Sequence, residues 1–240
     1  MAALGLSAAG SLGAVVLASL FFVVGSTIRS RVLPLLVSYA VGTLLGAALL
    51  GLLPEALETQ RPPAVFASLL LGILTFFILE KLVLWRHCHD EADCQLHRST
   101  ATLVLIGDGF HAFVDGAVIA AAVVTSLPLG VATALAVAAH EVPQEVGDVA
   151  ILLSAGYSRA RALLVNVISG LSALLGAGVM LVFAEQVPAL LPYVLGFAAG
   201  NFMYVAMADL IPHLHRGGLD TSAVRQVLLI SAGVATIVVL

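Results

Sequence analysis

Turns and charges divide the chain into eight apolar runs, at roughly 6 to 28, 33 to 53, 64 to 85, 101 to 124, 128 to 155, 159 to 184, 190 to 212 and 223 to 240. This repetition limits the possible folds more than any other feature. About 20 helical residues cross a hydrocarbon core of ~30 Å, whereas a membrane strand needs about half as many. Lipid offers backbone N–H and C=O groups no partner, so runs of this length are expected to be helices. Composition agrees: 61% of the 240 residues are hydrophobic and 10% charged, and the mean hydropathy of +1.12 lies far above that of a soluble domain. The expectation is an all-α membrane protein, one transmembrane domain over residues 1–240 in a lipid bilayer. The first run lacks the basic leader and short apolar core of a cleaved signal peptide, so it counts as a mature helix.

Nine of the ten basic residues fall on one side of this scheme. Arg29 and Arg31 follow the first span, Lys81, Arg86 and Arg98 surround the third connection, Arg159 and Arg161 the fifth, and Arg216 and Arg225 the seventh; Arg61 lies opposite. Basic loops stay in the cytoplasm, so the odd-numbered connections are expected inside and both termini outside, in a plasma (cell inner) membrane. No basic face exists for a nucleic acid, and none is expected as a partner. Cys88 and Cys94 then sit in a cytoplasmic loop, where a structural disulfide is not expected.

Spans two and seven carry an internal echo. "GTLLGAALLGLLPEA" from Gly42 and "GNFMYVAMADLIPHL" from Gly200 match at Gly42 and Gly200, Ala48 and Ala206, Leu52 and Leu210, and Pro54 and Pro212. One span runs outward and the other inward, as an inverted repeat requires. Spans one to three and six to eight would be related halves around spans four and five, a 3+2+3 arrangement; two unrelated helix ends are the alternative. Gly42, Gly46, Gly196 and Gly200 have the spacing that lets helices pack closely.

Spans four and five are polar where polarity is expensive. In "LIGDGFHAFVDGAVIAAA", Asp108, His111 and Asp115 share one helical face. In "AAHEVPQEVGD", His140 and Gln144 stand four apart, with Glu141, Glu145 and Asp148 adjoining. Antiparallel helices bring His111, Asp115, His140 and Gln144 to one depth as two facing ligand pairs. Each ionised group near the bilayer centre costs about 2.5 to 3.5 kcal/mol, and no deep Lys or Arg is available to pair with these carboxylates or with Asp209. Protons or a metal cation must neutralise them. Imidazole beside carboxylate and amide oxygen suits Zn²⁺, Fe²⁺, Mn²⁺ or Co²⁺ rather than Na⁺ or K⁺. Pro143 cannot donate to the carbonyl of Ala139, so a kink is expected one turn around His140. Gly116 and Gly147 are expected to remove bulk at the same level. Glu141, about 100° around the helix from His140, joins the candidate metal residues as a border group rather than an inner ligand.

"HAFVDG" followed by "HEVPQEVGD" resembles the paired signature of the ZIP (Zrt/Irt-like) divalent metal transporters, closest to the LIV-1 type, with its HNxxDG and HEIPHELGD patterns. The likeness continues through "GTLLGAALLGLLPEALE", "GDVAILLSAGYSRARALLVNVISG" and "DLIP". It implies eight spans with both ends outside, no enzymatic activity, and movement of a divalent ion, zinc first and iron, manganese or cadmium after it, into the cytoplasm. The transported ion is the only metal implied, and monomer and homodimer both fit. The family's primary ligands fall on His111, Asp115, His140 and Gln144, and its second adjoining site on Ala112, Asp115, Glu141 and Gln144. Ala112 stands where the family has Asn, Gln144 where it has His, and Gly51 where relatives often carry a His. One ion at a time is therefore expected, passing along Asp108, Glu145, Asp148, Asp209 and His213.

Residues 86–100 form the expected cytoplasmic loop, and the overlapping stretch "WRHCHDEADCQLHR", residues 85 to 98, holds three of the seven histidines and both cysteines. His87, Cys88, His89, Cys94 and His97 are candidate loop ligands without zinc-finger spacing. Two rival functions use the same residues. An intramembrane zinc metalloprotease would need HExxH, from which "HEVPQ" departs at Gln144. A proton-coupled carrier would use Asp and His as a relay without metal.

Overall fold

The computed structural model describes residues 1–23, 26–85, 96–186, 188–214 and 221–240. Among the described residues every regular element is helical. They form eight rods: α1 (Ala2–Val23); α2 (Ser26–Gly46, continuing through Ala47–Leu52 and Leu53–Thr59); α3 (Pro62–Trp85); α4 (Leu96–Thr125); α5 (Leu127–Ser154); α6 (Arg159–Gly170 and Ser172–Gln186); α7 (Leu191–Tyr204, Val205–Leu210 and Ile211–Leu214); and α8 (Thr221–Val239). Among the described residues, six helices are long and apolar enough to cross a membrane. α5 is not among them, because its central histidine and carboxylates dilute its hydropathy, and α8 offers only the shorter stretch Ala223–Val239. The protein is a multi-pass membrane protein. Its outer surface suits lipid: Leu70, Leu71, Leu74, Phe77 and Ile78 of α3 are exposed.

Two rods start earlier than hydropathy suggests. α2 begins at Ser26, so Arg29 and Arg31, expected in a loop, lie in its first turns. α4 begins at Leu96, which places the His97 backbone in its first turn. The rest of the expected loop, including His87, Cys88, His89 and Cys94, lies outside the described residues. Hydropathy detects the apolar part of a helix, not its polar ends. The α5–α6 connection is a tight stop and restart. Gly156 takes φ +84°, and Tyr157 N–H donates to Leu152 O at 3.0 Å and Gly156 N–H to Leu153 O at 3.1 Å, the Schellman closure that favours glycine. The Ser158 hydroxyl then caps α6 by accepting from Arg161 N–H.

The rods pack in reciprocal pairs: α2 on α8, α3 on α7, α1 on α5, and α4 on α6, with α4 and α5 in contact at the centre. Small residues permit the closest approaches. A methyl at Gly42 would strike the Ile230 carbonyl, and one at Gly200 the Leu69 carbonyl. Gly116 of α4 lies against the Ala173 backbone, and Gly176 of α6 lies against that of Phe113. Gly116 thus serves helix packing. Gly147, expected to relieve crowding, faces open space.

α2 and α7 share a distortion that periodicity does not reveal. Each contains one π-helical segment, Ala47–Leu52 in α2 and Val205–Leu210 in α7. Leu53 N–H donates to Ala48 O, and Ile211 N–H to Ala206 O, both five residues back. Pro54 and Pro212 follow immediately. A proline ring clashes with the carbonyl four residues earlier and supplies no N–H; widening the preceding turn accommodates that carbonyl. The two segments occupy equivalent positions in the register of the internal echo.

Candidate metal centre

α5 runs unbroken through Pro143, and α4 lies beside it. Together they bring His111, Asp115, His140 and Glu141 into one buried cluster, with one ligand atom of each within 4.8 Å of the others. The His111 and His140 Nε2 atoms are 3.0 Å apart. Asp115 Oδ2 lies 3.6 Å from His111 Nε2 and 3.2 Å from His140 Nε2. Glu141 Oε1 lies 3.7 Å and 3.9 Å from the same two nitrogens. A tetrahedral zinc site with bonds of about 2.1 Å has donor–donor edges of about 3.4 Å, and these separations bracket that value.

The surroundings orient the donors. His140 Nδ1 is 3.0 Å from Ala136 O; a carbonyl only accepts, so Nδ1 carries the proton of the neutral ring and Nε2 turns its lone pair into the cluster. Phe202 of α7 meets the His140 ring edge-on at 5.9 Å, and Phe76 of α3 meets His111 at 5.5 Å. These rings form apolar walls around the polar groups. The Asp115 and Glu141 carboxylate oxygens are buried and have no hydrogen-bond partner. Two such carboxylates beside two imidazoles form a poor structural network, because buried acceptors are costly unless something positive meets them. A divalent cation supplies that charge, and the donor set of two nitrogens and two oxygens matches zinc chemistry.

Glu141 lies inside this cluster rather than at its border. The 100° estimate concerns its Cα direction; the flexible side chain reaches back toward α4. Gln144 is half-buried one turn after His140, with its amide near Asp108. Asp108, Glu141 and Glu145 form a second buried group, again with ligand atoms within 4.8 Å of one another. Asp148 is partly buried one turn beyond Gln144. Asp209 lies in the π-helical segment of α7, and His213 in its last described turn. Sequence reasoning missed Asn166 of α6, which is fully buried and donates from Nδ2 to Glu145 Oε2 at 2.5 Å. Its signal was an amide in an otherwise apolar span, where polar groups are expensive.

Residues 85–240 match the family model described as ZIP Zinc transporter. The chain is 32% identical over 233 residues to "Zinc transporter ZIP13" of Pongo abelii, covering 89% of this chain and 70% of that protein. It is 36% identical over 147 residues to "Zinc transporter zipt-7.2" of Caenorhabditis elegans, covering 59% and 32% of the two chains. It is also 38% identical over 136 residues to human "Zinc transporter ZIP6", covering 56% and 18%. The chain therefore spans most of the first relative but a third or less of the other two. With its all-helical fold and buried histidine–carboxylate cluster, this chain belongs to the ZIP zinc transporter family, a family of transporters rather than enzymes.

Proposed function

We propose that this protein carries divalent transition-metal ions, zinc foremost, across the membrane into the cytoplasm through the cluster between α4 and α5. The observation carrying this reading is the N₂O₂ set of His111, Asp115, His140 and Glu141, buried and spaced for tetrahedral coordination. Gln144 is a fifth, weaker oxygen donor from the same helix face. The mixed set also accepts iron, manganese and cadmium, because first-row affinity follows the ion as much as the site.

All eight rods cross the bilayer in a 3+2+3 arrangement, with both ends outside. The reciprocal pairing of α2 with α8 and α3 with α7 supports this topology, as do equivalent π-helical segments before Pro54 and Pro212. Exchanging the two halves exchanges these contacts. Asp108, Glu145 and Asp148 continue the polar stripe toward the cytoplasmic end, so ions leave along it. Proteoliposomes enclosing a zinc-sensitive dye test the function: external Zn²⁺ should brighten the dye with the natural chain but not with empty vesicles. Absence of a signal from correctly inserted protein overturns the proposal.

A further inference from the structure

Four rings cross the centre of the bundle in one file. Phe76 of α3 meets His111 of α4 at 5.5 Å between centroids, His111 meets His140 of α5 at 5.3 Å, and His140 meets Phe202 of α7 at 5.9 Å. Successive planes stand at 79°, 83° and 61°, near the edge-to-face geometry that aromatic pairs prefer. Each imidazole therefore lies between the other imidazole and one phenyl ring. Phe76 is 7% exposed and Phe202 0%, whereas Phe77, the next residue on α3, is 44% exposed.

α3 and α7 contribute none of the four donors, yet glycines bring the two rods together beside them. A methyl on Gly72, one turn before Phe76, would strike the Phe197 carbonyl, and one on Gly200, two residues before Phe202, the Leu69 carbonyl. The two phenyl walls thus belong to one packed pair. Their bulk occupies space that water would otherwise enter, because the buried Asp115 and Glu141 oxygens have no hydrogen-bond partner and would hold it. A closed centre of this kind suits an ion that binds with four protein donors, whereas Mn²⁺ takes an octahedral shell.

We propose that Phe76 and Phe202 set the metal preference of the centre by excluding the water an ion would otherwise keep, so that Zn²⁺ and Co²⁺ are favoured over Mn²⁺. This deepens the transport reading above and rests on its metal centre. Neither phenyl ring is a ligand; each is a positioning residue, acting through the imidazole it seats and the space it fills. A nitrogen-bearing site already ranks these ions in the same order, and the walls widen the gap.

Co²⁺ reads the ligand count, because it absorbs visible light strongly with four ligands and weakly with six. The natural chain, purified in lipid nanodiscs, should show the strong bands. Phe202→Ala opens a void larger than a water molecule beside His140. Its Co²⁺ bands should weaken, and its preference for Co²⁺ over Mn²⁺, measured by competition, should shrink about tenfold, as for other changes in the shell around a metal. Phe76→Ala should act in the same direction through His111. Phe202→Leu keeps the space filled and should restore both the bands and the preference, which a general loss of stability would not do. Phe77→Ala should change neither. Where Phe202→Ala does not fold, Phe202→Val makes the same comparison with a smaller void. Weak bands in the natural chain, strong bands with an unchanged preference in the folded alanine or valine variants, or a leucine variant no better than alanine overturns the proposal. If the natural chain shows strong bands but carries no Zn²⁺ into vesicles, the transport reading fails while the role of the walls stands.

Discussion

The central helices α4 and α5 and the flanking helices α2 and α7 are both irregular, in opposite ways. α4 and α5 keep an uninterrupted helical backbone, even across Pro143, and bury Asp108, His111, Asp115, His140, Glu141 and Glu145. The buried polar side chains described on α2 and α7 are neutral, Ser38, Thr43 and Asn201, while their backbones widen into π-helical segments. The contrast separates chemistry from shape. Ligands need fixed relative positions, which a regular backbone supplies. A π-helical turn changes helix phase without adding a buried charge, and such turns recur at functional sites.

The largest expected effect comes from removing a ligand at the centre. His140→Ala should abolish zinc uptake, on the order of 100-fold or more, comparable to removing an essential group worth ~2.7 kcal/mol on a rate. The measurement is dye-reported uptake normalised to inserted protein. Near-normal uptake would place the chemistry outside α4 and α5.

The second effect concerns packing of the flanking pair. Gly42→Val and Gly200→Val each force a side chain against a neighbouring helix backbone, and such overpacking costs about 1 to 3 kcal/mol. Both should lower thermal stability by similar amounts, because the two contacts are equivalent in the repeat. Thermal unfolding in detergent checks this, and a large difference between the variants would break the equivalence of α2 and α7.

These residues show why the sequence was legible in part. The apolar runs made the helical rods legible, and among the described residues six of them are long and apolar enough to cross a membrane, because spanning length is written directly in hydropathy. Glycines 42 and 200 were read correctly as close-packing positions, because the absence of a side chain leaves few other roles at that spacing. That His111, Asp115 and His140 meet was legible because 3.6-residue periodicity fixes which Cα positions face together. That the Glu141 carboxylate also reaches these groups was not legible, because the same periodicity says nothing about where a long side chain bends. Asn166 was missed because its importance lies in a contact with Glu145, 21 residues away. The π-helical segments were also hidden: Pro54 and Pro212 announce an interruption, but packing decides whether it becomes a kink, a stop or a wider turn.

A third, smaller effect tests the central chemistry at Gln144. Gln144→His adds an imidazole one turn from His140 in place of a neutral amide. Zinc binding should tighten about tenfold, a change of ~1.4 kcal/mol, and release should slow. Calorimetry on the two purified forms decides it; unchanged affinity would place residue 144 outside the coordination sphere and leave Glu141 as the fourth ligand by itself.

The smallest effect returns to the flanking pair and tests the division directly. Pro54→Ala and Pro212→Ala restore an N–H able to reach the carbonyl four residues earlier, so the π-helical turn loses its principal cause. An α-helical turn is then favoured, which changes the phase of the helix beyond it. The proposed ligands on α4 and α5 are untouched, so zinc affinity should stay constant. The path around them changes shape, so uptake should slow by about threefold, or ~0.7 kcal/mol on the limiting step. Calorimetry and uptake on the same preparations separate the two quantities. A fall in zinc affinity with either alanine would show that α2 or α7 holds the metal centre in shape, and would end the separation of chemistry from helix mechanics.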